Sequence, residues 1–384
     1  MGEPHAFVQL KRSNSSYPFF GCIASAEACD GGAKGDRTLK ARATGSDVAR
    51  LAGVSKSAVS RAFTGGLVSE EARLRILDAA QRLKYRPSNT ARSLTTQRSR
   101  MIGIAVTHLD NQYYPEVIEK FSDRFAQSGY RLLLFVTHGE ADLDPMLDEL
   151  LGYGLDGVIL ASSSLASRVA AECREANVPV LMFNNIDPSG ATPGISADES
   201  AGAALVARYL VAAGHERFGV ITGVTQSSAS ITRLASFRQA LHAAALPPPK
   251  VRSGKYTFEG AIAATHALLD EATAPDALFC VNDHMALGAL HALRERGLVP
   301  GQDVSLVGFD NVAIARWPVF SLTTLAQPVN HMVDAGCSAL LQAIAGRPAL
   351  EGTQTFPGEL IVRGSARIAP GILTLESGER VWRG

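Results

Sequence analysis

Two patterns of apolar positions divide this chain. From about residue 46 to 86 they recur at helical spacing. From 101 onward they come as short unbroken runs separated by helical stretches. In the first region Val48, Ala49, Ala52, Val54, Val59 and Ala62 are spaced so that two short helices, 47–52 and about 55–63, pack on each other across Gly53. Ser55 is placed to cap the second helix. Lys56, Ser57, Ser60 and Arg61 fall on the face opposite the apolar stripe. Ser69 then caps a third helix with Glu70 and Glu71 in its first turn, where the helix dipole favours anions. Its inner stripe is Ala72, Ile76, Ala79, Ala80 and Leu83, and Tyr85-Arg86-Pro87 ends it. Residues 88–94, SNTARSL, suggest a further helix too short to be stable alone in water.

The second region reads as strands alternating with helices. Apolar runs occupy 101–107, 130–136, 156–161 and 178–183, and the alternation restarts after Ile195 with 218–222, 277–281 and 304–309. Unbroken apolar strands joined by helices imply parallel sheets covered on both faces. Two rounds of the pattern predict two similar α/β lobes. A ligand is then expected at the carboxyl ends of the strands, in the cleft between the lobes.

Charge sharpens this division. The 384 residues sum to zero, but residues 41–100 hold twelve Lys/Arg against four Asp/Glu, a net of +8. Residues 1–40 carry +1, so the remaining 284 carry −9. A basic module on an acidic body points to a local surface for a polyanion. A two-helix unit with a small apolar inner face and a polar, cationic outer face is suited to a DNA major groove, where guanidinium groups match guanine. The five cysteines form no CxxC pair and the nine histidines show no ligand spacing, so neither a disulfide framework nor a metal site is expected. No stretch approaches the roughly 20 apolar residues of a transmembrane helix. Residues 1–42 superficially resemble an export signal around Cys22, but the apolar run is short and holds Pro18. They are read as a disordered extension, or as the trace of an upstream start.

In combination these motifs resemble the LacI/GalR family of bacterial transcription regulators. The resemblance covers about 43–365. It rests on DVARLAGVSKSAVSRAF at 47–63, VSEEARLRILDAAQRLKYRPSNTARSL at 68–94, IGIAV at 102–106, GVILASS at 157–163, AGHERFGVITG at 213–223, NDHMALGAL at 282–290, VSLVGFDN at 304–311 and SLTTLAQP at 321–328. The implied fold is α/β: an all-α helix-turn-helix headpiece plus a two-lobed periplasmic-binding-protein-like effector domain, used as a homodimer. The resemblance places DNA contacts at Ser55, Lys56, Ser57, Ser60 and Arg61. In the hinge it places them at Asn89, Arg92 and Leu94, with Leu94 as a wedge in the minor groove. Effector contacts fall on Tyr113, Tyr114, Arg233, Tyr256, Asn282 and Asp310. This set suits a small polar ligand such as a sugar or sugar acid. One departure stands near Arg233: Ser236 occupies a position where the family usually has glycine, so altered helix packing is expected there.

The expected organisation is an extension at 1–42, a headpiece at 43–86, a hinge and linker at 87–100, an effector and dimerisation domain at 101–365 with lobe crossovers near 196 and 327, and a tail at 366–384. The tail has no sustained leucine heptads, so a tetramerising coiled coil is not expected. The implied partners are an inverted-repeat operator in double-stranded DNA and a small effector, in the cytoplasm, with no cofactor. A solute-binding protein of an uptake system would account for the two lobes but not for residues 46–94. No nucleophile elbow, Walker loop or GxGxxG after the first strand suggests an enzyme.

Overall fold

The computed structural model describes residues 43–86, 98–107, 109–137, 143–161, 166–187, 189–348 and 350–384. The extension at 1–42 and the hinge positions Asn89, Arg92 and Leu94 lie outside them. The chain divides into two compact units, with the boundary in sequence between Pro87 and Ser88.

The first unit holds α1 (Gly45–Ala52), α2 (Lys56–Thr64) and α3 (Glu70–Arg82). The first helix begins two residues earlier than the apolar spacing suggests. The cause is a capping box: Thr44 Oγ1 accepts from the Asp47 amide at 3.3 Å while Asp47 accepts from the Thr44 amide at 3.0 Å. Gly53 closes the helix at φ 64°, and Ser55 and Ser69 cap the next two. Val48, Ala49, Ala52, Val59, Ala62, Ile76, Ala79 and Ala80 form the core, while Val54, Ala72 and Leu83 are half-buried. Lys84, in the left-handed region at φ 51°, rather than the later proline, ends α3.

The second unit carries two sheets. The first contains β1 (Met101–Val106), β2 (Arg131–Val136), β3 (Gly157–Leu160), β4 (Val180–Phe183), β5 (Gly194–Ala197) and β11 (Thr353–Phe356), all parallel, in the order β11-β5-β4-β3-β1-β2. The second contains β6 (Phe218–Thr222), β7 (Lys250–Ser253), β8 (Ala277–Cys280), β9 (Ser305–Asp310) and β10 (Thr323–Ala326), then β12 (Glu359–Ile361), β13 (Leu373–Thr374) and β14 (Arg380–Trp382). Its order is β13-β14-β12-β10-β9-β8-β6-β7, and the last three strands in sequence pair antiparallel. Each lobe thus repeats the order 2-1-3-4-5 of a doubly wound sheet, with its switch point between the first and third strands.

The helices that follow are α4 (Tyr113–Gln127), α5 (Leu143–Gly152), α6 (Ala166–Glu175), α7 (Glu199–Ala212), α8 (Ser228–Ala243), α9 (Phe258–Leu269), α10 (Asp283–Glu295) and α11 (Val329–Ile344). The chain crosses between lobes after β5 and after β10. It also crosses a third time, between β11 and β12, which the sequence reading did not anticipate. The segment after 365 is not a separate tail either. It adds β13 and β14 to the second sheet, burying Val381 and Trp382, with the Trp382 indole donating to the Pro370 carbonyl at 2.8 Å. No helix among the described residues is long and apolar enough to cross a membrane.

Candidate functional site

The outer face of α2 is a set of exposed side chains on a helix whose other face is packed. Ser55, Lys56, Ser57, Ser60 and Arg61 are all exposed, while Val59 and Ala62 on the same helix are buried. Ser55 caps the helix through the Ala58 amide at 3.2 Å, and its hydroxyl lies 2.9 Å from that of Ser57. Gly66 lets the loop after the helix fold against the stem of Arg61, since a Cβ there would lie 3.0 Å from its Cγ. Lys56 and Arg61 are left with their charged ends in solvent, and neither makes an ion pair among the described residues.

The carboxyl ends of the strands in the second unit surround a cavity of about 160 Å³. Tyr113, Tyr114, Arg233, Tyr256, Asn282 and Asp310 all line it, although 197 positions of sequence separate the first from the last. Tyr113 and Tyr114 open α4 just past β1, Arg233 projects from α8 after β6, Tyr256 follows β7, Asn282 caps α10 after β8, and Asp310 ends β9. Each group therefore sits where a strand of a parallel sheet stops and its covering helix starts.

Arg233 is the hub. It is 2 % exposed, its Nε donates to Glu199 on α7, its Nη1 donates to the Val281 carbonyl, and its guanidinium stacks 3.6 Å above the Phe309 ring centroid. Asp310 Oδ1 lies 3.8 Å from Nη1 and accepts from Gln327 Nε2 at 2.6 Å. Gln327 in turn accepts from the Tyr113 hydroxyl at 3.0 Å. Burial disfavours the charge on Arg233, but Glu199 and Asp310 outweigh that and raise its pKa. Burial lifts the Asp310 carboxyl well above the usual range despite the guanidinium beside it. Asp283, behind it, is pushed up to about 6 by burial, although it accepts from Thr324 Oγ1 at 2.6 Å and the Val312 amide at 2.9 Å. Gly308 leaves room for that carboxylate, because a Cβ there would stand 2.1 Å from its Oδ1.

Backbone strain holds parts of the wall. Asp310 has φ 131° and Tyr256 φ 61°, both in a region side chains rarely adopt. The Tyr256 ring lies against Gly223, where a Cβ would come within 2.1 Å of it, and its hydroxyl meets Ser227 Oγ at 2.7 Å. A second link crosses the lobes: Ser228 Oγ donates to Asn185 Oδ1 at 2.7 Å. Two buried atoms at the cavity, Arg233 Nη2 and Asn184 Oδ1, have no hydrogen-bond partner among the described residues. One is a donor from the second lobe and the other an acceptor from the first.

At Ser236 the packing does not disturb Arg233. Its hydroxyl lies 2.8 Å from Ser200 Oγ, so the extra group is satisfied between α7 and α8. Sequence reasoning missed Glu199, Gln327, Asn184 and Ser227. Asn184 and Ser227 would have emerged from applying the strand-end rule to every strand. Glu199 carried no signal beyond an acidic first turn of a helix.

Comparison with known proteins matches both units. Residues 44–88 match the model for bacterial regulatory proteins of the lacI family, and 207–366 match a periplasmic binding protein-like domain. The ribose operon repressor of Haemophilus influenzae is 32% identical over 307 residues, 79% of this chain and 92% of that protein. The transcriptional repressor CytR of Escherichia coli K12 is 32% identical over 332 residues, covering 85% of this chain and 97% of CytR. Among solved structures, a lac repressor dimer bound to operator and the anti-inducer ONPF superposes with a TM-score of 0.77 at 29% identity, covering 85% of this chain and 99% of that one.

Proposed function

The chain belongs to the lacI family of bacterial regulatory proteins, and from that premise we propose the division of labour within it. It is a ligand-responsive, sequence-specific transcription regulator, most simply a repressor, that binds an inverted-repeat operator as a dimer. Lys56, Ser57 and Arg61 read base edges, and Ser55 and Ser60 lie near the phosphate backbone. It works in the cytoplasm and catalyses no reaction. Coupling of about 1–3 kcal/mol between the ligand cavity and the DNA surface, roughly 5–150-fold in affinity, is enough for control.

The observation that carries the reading is the convergence of six dispersed residues on one cavity between two lobes. The charge balance there narrows the ligand class. Arg233 is already matched by Glu199, so no spare cation is left for a carboxylate. The unmatched donor and acceptor, Arg233 Nη2 and Asn184 Oδ1, suit hydroxyl groups, which both donate and accept. Three tyrosines offer ring faces to a sugar or base. A neutral polyhydroxylated metabolite fits this better than a sugar acid.

The first experiment is selection of operators from a random DNA pool at stated salt, followed by titration of neutral sugars and nucleosides against the selected site. An enriched palindrome released by one of them is the expected result; a pool without a palindrome, with or without metabolites, would remove the regulator reading. Asp310→Ala is expected to keep operator affinity and lose the effector response, and a normal effector titration would take Asp310 out of the site.

A further inference from the structure

A second cavity, of about 620 Å³, is lined by Asn311, the residue after Asp310, and by residues of the 3-10 turn Ala313–Arg316, of β12 and the segment after it, and of the C-terminal hairpin of β13 and β14. Three arginines line it, Arg316, Arg363 and Arg380, against one acidic group, Glu379. That concentration stands out on residues 101–384, which carry −9 overall.

The three arginines are not equivalent. Arg363 is a fixed post, 12% exposed: Nη1 donates to the Leu322 carbonyl at 2.9 Å, and Nη2 donates to Asn311 Oδ1 and Glu379 Oε1, both at 2.9 Å. Arg316 and Arg380 make no ion pair or side-chain hydrogen bond among the described residues. Arg316, exposed, and Arg380, half-buried, thus bring two guanidinium groups without a carboxylate partner to one cavity, where an anion could pair with both. Guanidinium forks match the paired oxygens of phosphate and carboxylate. The hairpin turn at Gly378, φ 83°, forms part of the wall, and Ser321 and Ser377 add hydroxyls to it.

We propose that this cavity is a second ligand site, for a small multiply charged oxyanion, held by Arg316 and Arg380 and positioned by Arg363. It is independent of the effector reading above. The site is wired to the first cavity through Asn311, which accepts from Arg363, is adjacent to Asp310, and donates its amide to Thr324 Oγ1 at 3.2 Å. Thr324 in turn donates to Asp283.

The chain supplies its own reporter. Its two tryptophans stand close in sequence to the two arginines: Trp317 follows Arg316 and is 54% exposed, and Trp382, buried, lies two residues beyond Arg380. The test is intrinsic fluorescence of the full chain during titration with inorganic phosphate and, separately, succinate, at constant ionic strength with sodium chloride as reference. A saturable change with either anion and not with chloride is expected, and which anion acts separates phosphate-type from carboxylate ligands. The double variant R316Q/R380Q should weaken half-saturation at least tenfold, and R316K/R380K should retain part of the response. Thermal unfolding checks that both variants fold; if the double glutamine variant does not, R316Q alone serves, since Arg316 is exposed. No saturable change in the parent chain, or an equal response in the glutamine variant, which would place the anion on the basic headpiece, overturns the proposal.

Discussion

The outer face of α2 and the wall of the interlobe cavity are the two candidate recognition surfaces, built in opposite ways. On α2 the candidate contacts are exposed, and the helix is held by separate residues on its other side. In the cavity the candidate contacts are themselves structural. Arg233 stacks on Phe309 and pairs with Glu199, Tyr256 packs on Gly223, and Asp310 ends a central strand. The contrast teaches where binding and stability can be separated. A phosphate-lined groove is a large ligand that comes to the protein, so its readers can wait in solvent. A small ligand must be enclosed, and its readers are therefore desolvated and depend on one another's charges and hydrogen bonds.

Mutations probe this contrast directly. The largest effect is expected from Arg233→Ala, which leaves Glu199 and Asp310 buried without their cation; breaking such a pair costs about 3–5 kcal/mol. Urea unfolding of the full chain should show it, and a loss below about 1 kcal/mol would mean that the cavity wall is no more structural than the α2 face. Gly223→Ala forces the Tyr256 ring from its place, with an overpacking cost of about 1–3 kcal/mol. Its sharper readout is ligand-induced thermal stabilisation, which should disappear; a retained shift would mean that Tyr256 does not touch the ligand. Arg61→Ala should cost about 1–3 kcal/mol in operator affinity and much less on random DNA. Folding stability should stay within about 0.5 kcal/mol of the parent chain, because this exposed side chain is not part of the headpiece core. Equal losses on both DNAs would deny it a base-reading role. The smallest effect is expected from Thr44→Ala, about 1 kcal/mol from the capping box of α1, measured as headpiece helicity against temperature.

The same contrast explains which parts were legible in the sequence. Helical periodicity is a local property, so the core of the first unit and the exposed set Ser55 to Arg61 could be read from spacing alone. Strand and helix alternation likewise revealed two parallel α/β lobes, because buried parallel strands need unbroken apolar runs. Strands β5, β7, β10, β11, β12, β13 and β14 went unread, the most weakly apolar among them β7, β11, β13 and β14. Their residues Lys250, Arg252, Gln354, Thr374 and Arg380 lie at or near sheet edges, where burial does not demand apolar runs.

Local patterns determined the helix-turn-helix face, the lobes and the kind of site to expect at the strand ends. Tertiary structure alone decided the third crossover, the joining of the C-terminal segment to the second sheet, and the partners of Arg233. Glu199 and Gln327 reach that guanidinium network from positions 34 residues before it and 94 after it in the sequence. No periodicity extends over such distances. Charge matching in a buried site is settled by which strand ends the topology brings together.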